Sequence, residues 1–415
     1  MELKTILNRC HPVKGFVYQK VRFGLGNEIL ADVVPRRGSH GYCGNCFKRG
    51  TTYDTGKNLR RFSFIPFWGF TVVLLYCMRR IDCARCGVAT ELIPWADGKQ
   101  RSCYAYRQYL ATWAKRISWS EVGRVFHVSW GVVFRSVEWV VQWGLDHREL
   151  SGIKAIGVDE IAVSKGHKYL TVVYQIDEGV RRLLWVGLDR TEKTLDEFFK
   201  SFGKINTAGL LYVASDMWKP YLNVIRRWAP AAIHVLDRFH IVAKLNKAID
   251  EVRSVEARSL AAKGYETLKN TRWCFVKRPE NLTANQKMKI KDILQYDLRT
   301  VRGYLHKEAL EAFWKYSSPK HAGMFLEKWC TRALRSRIPQ LKRFVGTMRK
   351  HKPLILNWFI AKKAISSAAV EAMNGNAKLT IRKARGFRTT KALRIALFHQ
   401  MGRLPEPSFI THSFW

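Results

Sequence analysis

Lys154-Ala155-Ile156-Gly157-Val158-Asp159 is a short apolar run that ends on a carboxylate, and the eighty residues after it decide the fold. Tyr169–Asp177 and Val180–Leu188 read as strands, turned at Asp177-Glu178-Gly179. Both are rich in β-branched and aromatic residues and bounded by turn formers. Thr194–Phe202 has helical spacing. Leu210–Ala214 is a fourth strand running into Ser215-Asp216, Tyr221–Trp228 is helical, and Ala232–Leu236 is a fifth strand ending in Asp237-Arg238-Phe239-His240.

Three meandering strands followed by two strands separated by helices is the order of an RNase H-like α/β sheet, in which the first and fourth strands are neighbours. Asp159 and Asp216 would then lie side by side. A strand-end Asp taken singly is more often a turn former or helix cap. Two adjacent carboxylates repel unless a cation neutralises them. Mg²⁺ (or Mn²⁺) suits such oxygen ligands, and paired ions of this kind activate the attacking oxygen and stabilise the leaving one in displacement at phosphorus. For a third carboxylate, the stretch from Thr331 onward holds 18 Lys and Arg but two acids, Glu371 and Glu406. Glu406 sits between prolines. Glu371, Asn374, Lys378 and Arg382 share one helical face, so Glu371 could bind metal while Lys378 and Arg382 hold DNA phosphates. The competing reading of Glu371 is a solvated surface acid.

Outward from this core the chain is strongly basic. Its 415 residues carry 72 Lys and Arg against 33 Asp and Glu, a formal net charge of +39. Such an excess calls for a polyanion, most commonly nucleic acid. A 47% hydrophobic content excludes wholesale disorder. Residues 1–12 lack the charged start and apolar run of a signal peptide, and nine cysteines without one predict reduced thiols in a cytoplasmic protein. The uncharged run Phe62–Met78 is expected to be a buried β-hairpin, with a membrane span as the minor alternative. It lies between Cys43-Gly44-Asn45-Cys46 and Cys83-Ala84-Arg85-Cys86, two knuckles that suit one tetrahedral structural Zn²⁺. The 36-residue spacer is longer than in a simple ribbon, and His40 or Cys77 could substitute as ligands. Cys10, Cys103, Cys274 and Cys330 are read as packing residues. Next come three helices: Tyr104–Ile117, a second opened by the capping box Ser118-Trp119-Ser120-Glu121, and Trp130–Trp143. They predict a helix-turn-helix with Arg124 and Arg135 facing DNA. Trp119, Trp130, Trp139 and Trp143 are assigned to its core.

The ordered set Cys43–Cys46, Arg79–Cys86, Gly157-Val158-Asp159-Glu160, Ser215-Asp216-Met217-Trp218, Asp237–His240 and Glu371-Ala372-Met373-Asn374 resembles the bacterial insertion-sequence transposases of the DDE class, in the subgroup with a zinc ribbon and helix-turn-helix. The resemblance implies that Asp159, Asp216 and Glu371 are the catalytic triad, with Asp237, Arg238, His240 and Asn374 as supporting residues. It implies an all-α insertion within the core, in which Trp273 either stacks on an exposed end base or simply packs. The expected division is 1–100 zinc ribbon, 101–150 helix-turn-helix, 151–244 first part of the core, 245–361 insertion, and 362–415 second part with a basic tail. The partners implied are double-stranded DNA, both terminal inverted repeats and target, and at least one further copy of the chain, since two element ends must be joined. No membrane is involved, and a bacterial cytoplasmic protein associated with the nucleoid is expected. Two other functions stay open: a DNA-binding regulator derived from an inactive transposase, and a structure-specific nuclease of the same fold.

Overall fold

In the computed structural model, which describes residues 2–164, 168–361 and 367–408, helices combine with two mixed sheets. The start of the expected second core segment at 362 and the last residues of the basic tail lie outside the described residues. The chain divides into two units, Met1–Glu149 with Thr380–Trp415, and Leu150–Leu379.

The first unit opens with α1 (Leu3–Cys10), β1 (Phe16–Phe23), β2 (Glu28–Pro35), β3 (Gly41–Tyr42), β4 (Arg49–Phe67), β5 (Phe70–Cys83) and β6 (Gly87–Thr90). They form a six-stranded sheet in the order β1-β2-β5-β4-β3, with β6 on β5. The apolar run Phe62–Met78 is the hairpin of β4 and β5, turned at Trp68-Gly69, and no described helix is long and apolar enough to cross a membrane. Phe62 and Phe64 of β4 are buried at every second position, whereas Val72–Tyr76 of β5 are buried without a break, so this central strand is covered on both faces. Their core closes on Trp95, whose ring meets Phe16, Tyr76 and Phe62 edge-on at 4.9, 5.3 and 6.0 Å.

Three helices follow, α2 (Tyr104–Ala114), α3 (Trp119–Val125) and α4 (Trp130–His147). The Ser118 hydroxyl accepts from the Glu121 amide and the Glu121 carboxylate accepts from the Ser118 amide, so the expected capping box starts α3. Tryptophan packing here differs from expectation. Trp119 and Trp139 are half-buried, but Trp130 lies on the surface, stacked on Phe134 at 5.3 Å. Its place at the first turn of α4 leaves it 47% exposed, with the Trp119 ring tilted against it at 5.9 Å.

The second unit holds β7 (Ala155–Ser164), β8 (Lys168–Gln175), β9 (Arg182–Leu188), β10 (Tyr212–Ser215) and β11 (Ile233–Leu236), ordered β11-β10-β7-β8-β9. The meander β7-β8-β9 is antiparallel, whereas β10 joins β7 and β11 joins β10 in parallel. Parallel neighbours need crossovers. These are α5 (Glu192–Phe202) with α6 (Lys204–Ala208), and α7 (Lys219–Trp228). Leu195, Phe198, Phe199 and Phe202 form the apolar stripe that holds α5 to the sheet. After β11 come α8 (Arg238–Ala261), α9 (Arg272–Val276), α10 (Ala284–Ile293), α11 (Arg299–Glu311), α12 (Pro319–Arg335), α13 (Pro339–Lys350) and α14 (Lys352–Ile360). Their core surrounds Trp329, fully buried, its indole N–H donating to the His306 carbonyl at 2.9 Å. Then α15 (Ser367–Lys383) and α16 (Thr390–Met401) end the described helices.

The return of α15 to β7 depends on a missing side chain. A Cβ on Gly157 would lie 2.4 Å from Val370 Cγ2, well inside contact distance. Gly157→Ala should therefore destabilise the protein by about 1–3 kcal/mol in urea unfolding, the usual range for overpacking. Gly346→Ala, on α13 with nothing within 4 Å, is the control and should be neutral or slightly stabilising. Equal responses at the two positions would show that α15 does not press on β7.

Candidate active site and metal centre

The site follows from strand register. Gly157 pairs with Ala214 across β7 and β10, so Asp159 is level with Asp216, the residue after β10. Ser215 pairs with Leu236, and the Asp237 amide donates to the Ser215 carbonyl at 2.8 Å, which sets Asp237 level with Asp216. Three carboxylate-bearing residues thus form a row across neighbouring parallel strands, whose spacing is about 4.8 Å.

Each is held. Asp159 is buried, with Oδ1 accepting from the Glu160 amide at 2.8 Å and Oδ2 from Asn374 Nδ2 at 2.5 Å. Asn374 in turn accepts from the Tyr174 hydroxyl at 2.8 Å. Asp216 accepts from the Trp218 amide at 2.9 Å, and Asp237 caps α8 by accepting from the Phe239 amide at 2.7 Å. The cap aims the first turn of α8 back at the row: His240 Nε2 stands 3.7 Å from Asp237 Oδ2 and 4.0 Å from Asp159 Oδ1.

Negative charge is in excess here. Burial pushes the Asp159 carboxyl above its usual range, and Asp237 adds to the shift. Burial pushes Asp216 up to about 6, with Glu160 and Asp159 contributing repulsion. Glu160 pairs with Arg190 through one oxygen at 2.9 Å, while its other oxygen is buried without a partner. An orphaned carboxylate oxygen beside acids resisting ionisation is the environment a divalent cation relieves. Glu160 and Arg190 were not singled out from sequence. Glu160 stands next to Asp159 and so reads as the outward residue of the strand. Arg190 has no signal beyond following β9, and only the structure shows its guanidinium between the rings of Tyr169 and Trp218 at 4.2 and 4.8 Å.

Of the face predicted on α15, Asn374 is buried against Asp159, whereas Glu371, Lys378 and Arg382 are exposed. Glu371 lies one turn before Asn374 and adjoins Val370, which touches β7 at Gly157. Among the described residues, Asp159, Asp216 and Glu371 do not bring three donor atoms within 4.8 Å of one another; the four cysteines do. Arg238 points elsewhere, pairing with Glu311 at 3.1 Å over the Trp314 ring. Trp273 is 52% exposed, with the Arg272 guanidinium 5.1 Å from its ring, so it is not a core residue. Arg124 and Arg135 are exposed on α3 and α4.

Cys43, Cys46, Cys83 and Cys86 gather at the base of the β4–β5 hairpin, which spans the long spacer. Cys46 and Cys83 sulfurs are 3.5 Å apart, close to the roughly 3.8 Å that a tetrahedron of about 2.3 Å Zn–S bonds requires. Backbone N–H groups of Arg85 and Cys86 lower the Cys83 thiol to about 7, while the neighbouring Cys46 sulfur and burial raise Cys86, so Cys83 is the first of the two to give up its proton. His40 and Cys77 do not join this group. Cys103, Cys274 and Cys330 are buried as expected, whereas Cys10 is exposed.

A basic chain with a row of buried and half-buried carboxylates on one sheet and a four-cysteine centre on another has the parts of a nucleic-acid-processing enzyme. A family model described as Transposase (DDE_Tnp_ISL3) matches residues 156–397, more than half of the chain, which therefore belongs to this family of DDE transposases. The chain is similar to the transposase for insertion sequence element IS1557 of Mycobacterium tuberculosis, 29% identical over 92% of this chain and 90% of that one. It is also similar to the transposase for insertion sequence element IS1001 of Bordetella parapertussis, 28% identical over 80% and 81% of the two chains.

Two outcomes follow. Purified protein should carry one zinc per chain by elemental analysis, and Cys46→Ala should lose it together with the stability of the module. Asp216 titrates near 6 folded and near 3.9 unfolded, so its proton stabilises the fold below about pH 4, and that contribution is lost as pH rises through 6. Unfolded in chelator, Asp216→Asn should match wild type near pH 4 and exceed it by about 1–3 kcal/mol above pH 6. A difference independent of pH would exclude charge repulsion as the cause.

Proposed function

We propose that the chain binds the terminal inverted repeats of an insertion sequence and catalyses metal-dependent cleavage and strand transfer of DNA. The observation that carries this reading is the row of carboxylates formed by buried Asp159 on β7 and the half-buried Asp216 and Asp237 just after β10 and β11, beside an unpartnered Glu160 oxygen. The sheet order β11-β10-β7-β8-β9 supports an RNase H-like core, assigned to 151–244 and 362–415, with 245–361 as its insertion.

In this reading Asp159, Asp216 and Glu371 hold Mg²⁺ or Mn²⁺, which when bound activates an attacking oxygen and stabilises the leaving one. The remaining work falls to the protein. Asn374, fixed by Tyr174, orients Asp159 so that its oxygens keep one direction. His240 stands between Asp237 and Asp159, 3.7 and 4.0 Å from their oxygens, where its imidazole screens the two acids when protonated. Glu371, on the exposed edge of α15 one turn before Asn374, would be the third holder of the metal. Lys378 and Arg382 contact phosphates near the cut, and Trp273 stacks on an exposed end base. The zinc module at 1–100 and the three helices within 101–150 grip the repeats, with Arg124 and Arg135 at the DNA. At least two chains act together in the bacterial cytoplasm, because both ends of the element must be joined.

The decisive experiment is cleavage of a terminal-repeat duplex in Mg²⁺. Asp159→Asn should bind that duplex as wild type does while its cutting falls by about a hundred- to a thousandfold, the scale on which loss of an electrostatic catalytic group is felt. Undiminished cutting would remove Asp159 from the chemistry. Binding without any cutting by wild type would favour a DNA-binding regulator, and cutting of branched DNA without joining would favour a nuclease.

A further inference from the structure

Arg107 on α2 is a buried guanidinium that pairs with an acid at the surface. Its acid, Asp97, lies 3.3 Å away with a half-exposed side chain, and its other support is the ring of Trp139, 4.5 Å from the guanidinium carbon. Burial pushes this guanidinium below its usual range, the charge of Arg135 adding to the shift and Asp97 opposing it. The side chain opens onto a cavity of about 360 Å³ lined by Lys99, Gln100, Arg101, Ser102, Arg107 and Arg135, together with Val132 and Ser136. No acid lines it. Among the described residues Lys99, Arg101 and Arg135 form no ion pair and are exposed.

The cup is fixed by hydrogen bonds to its backbone. The Arg60 guanidinium donates to the carbonyls of Gly98 and Gln100, both at 3.2 Å. The Ser63 amide donates to the Arg101 carbonyl at 2.7 Å, and the Cys103 amide donates to the Ser63 carbonyl at 2.9 Å. Residues 98–102 are thereby laced to β4, while Arg107 and Arg135 are presented by helices. Four cations converge from three elements whose backbones are already ordered, so an anion entering the cup costs little further ordering.

We propose that this cavity receives a backbone phosphate of duplex DNA, held by Arg107 at its floor and by Lys99, Arg101 and Arg135 at its rim. The inference rests on the DNA-binding reading above and deepens it: the contact fixes the register of the duplex and carries no base information.

The test uses the full chain, a terminal-repeat duplex and a scrambled duplex of the same length. Arg101→Gln combined with Arg135→Gln changes two exposed side chains and leaves Arg107 on its ring, so the melting temperature should stay at the wild-type value. Affinity for both duplexes should fall alike, about tenfold at moderate salt, and the slope of log affinity against log salt should drop by about 1–2. An unchanged slope overturns the proposal, as does a loss confined to the terminal-repeat duplex, which would mean base reading. Tripolyphosphate is titrated in parallel by calorimetry. If the variant loses tripolyphosphate but keeps the wild-type DNA slope, the cup takes free polyphosphate and the DNA assignment fails. Wild type binding neither duplex would instead defeat the DNA-binding reading itself, a result distinguishable from all of these.

Discussion

Like charges held in register across parallel strands are the constraint on which the second unit depends. Backbone pairing of β7, β10 and β11 leaves Asp159, Asp216 and Asp237 level, whatever their side chains prefer. In a partly desolvated place such proximity is unfavourable, and the surroundings answer it piece by piece. Amides of Glu160, Trp218 and Phe239 each donate to one of the three acids, and an imidazole stands between two of them. Glu160 has Arg190 on one side and nothing on the other. The arrangement tolerates its charge without cancelling it, which is the condition a cation site must meet before the cation arrives.

The four cysteines solve a different problem. Around them the buried apolar side chains are few, Cys43, Cys83 and Ala89 with Cys46 alongside. That end of the β4–β5 hairpin has too little to bury, so cross-linking through metal would replace packing. The other end does not need it, because Phe62, Leu74 and Tyr76 close on Trp95. The length of the spacer between the knuckles thus reflects a ribbon that runs out of the metal centre into a hydrophobic core and back.

Much of this was legible from residue order. The strands that carry Asp159, run into Asp216 and end at Leu236 were marked by β-branched runs and turn formers, although β7 does not stop at Asp159 but continues to Ser164 paired with β8; the capping box at Ser118 marked a helix start to within a residue. Periodicity put Glu371, Asn374, Lys378 and Arg382 on one face, but could not say which of the four meets the sheet. Contact with Gly157 rotates α15 so that Val370, Met373, Asn374 and Ala377 turn inward and Glu371 stays at the edge. Neither Glu160 nor Arg190 carried a local signal, since their roles come from pairing across β9 and β7. Trp130 was assigned to a core because large aromatics usually are; its position at a helix start exposed it instead. The cationic cup was invisible for a similar reason: Lys99 and Arg101 on a loop and Arg107 and Arg135 on two helices come together only through packing.

Glu371 and Asn374 share one stiff helix, three positions apart, and this has a consequence for how the gene can vary. A helix advances about 100° per residue. One amino acid inserted or deleted between the two would swing either the acid or the amide away from β7, whatever the chemistry of the newcomer. Point changes nearby can be graded, whereas a single codon gained or lost at that spot is all-or-none. Among natural copies of this sequence, frame-preserving length changes should therefore crowd into loops and spare this one turn.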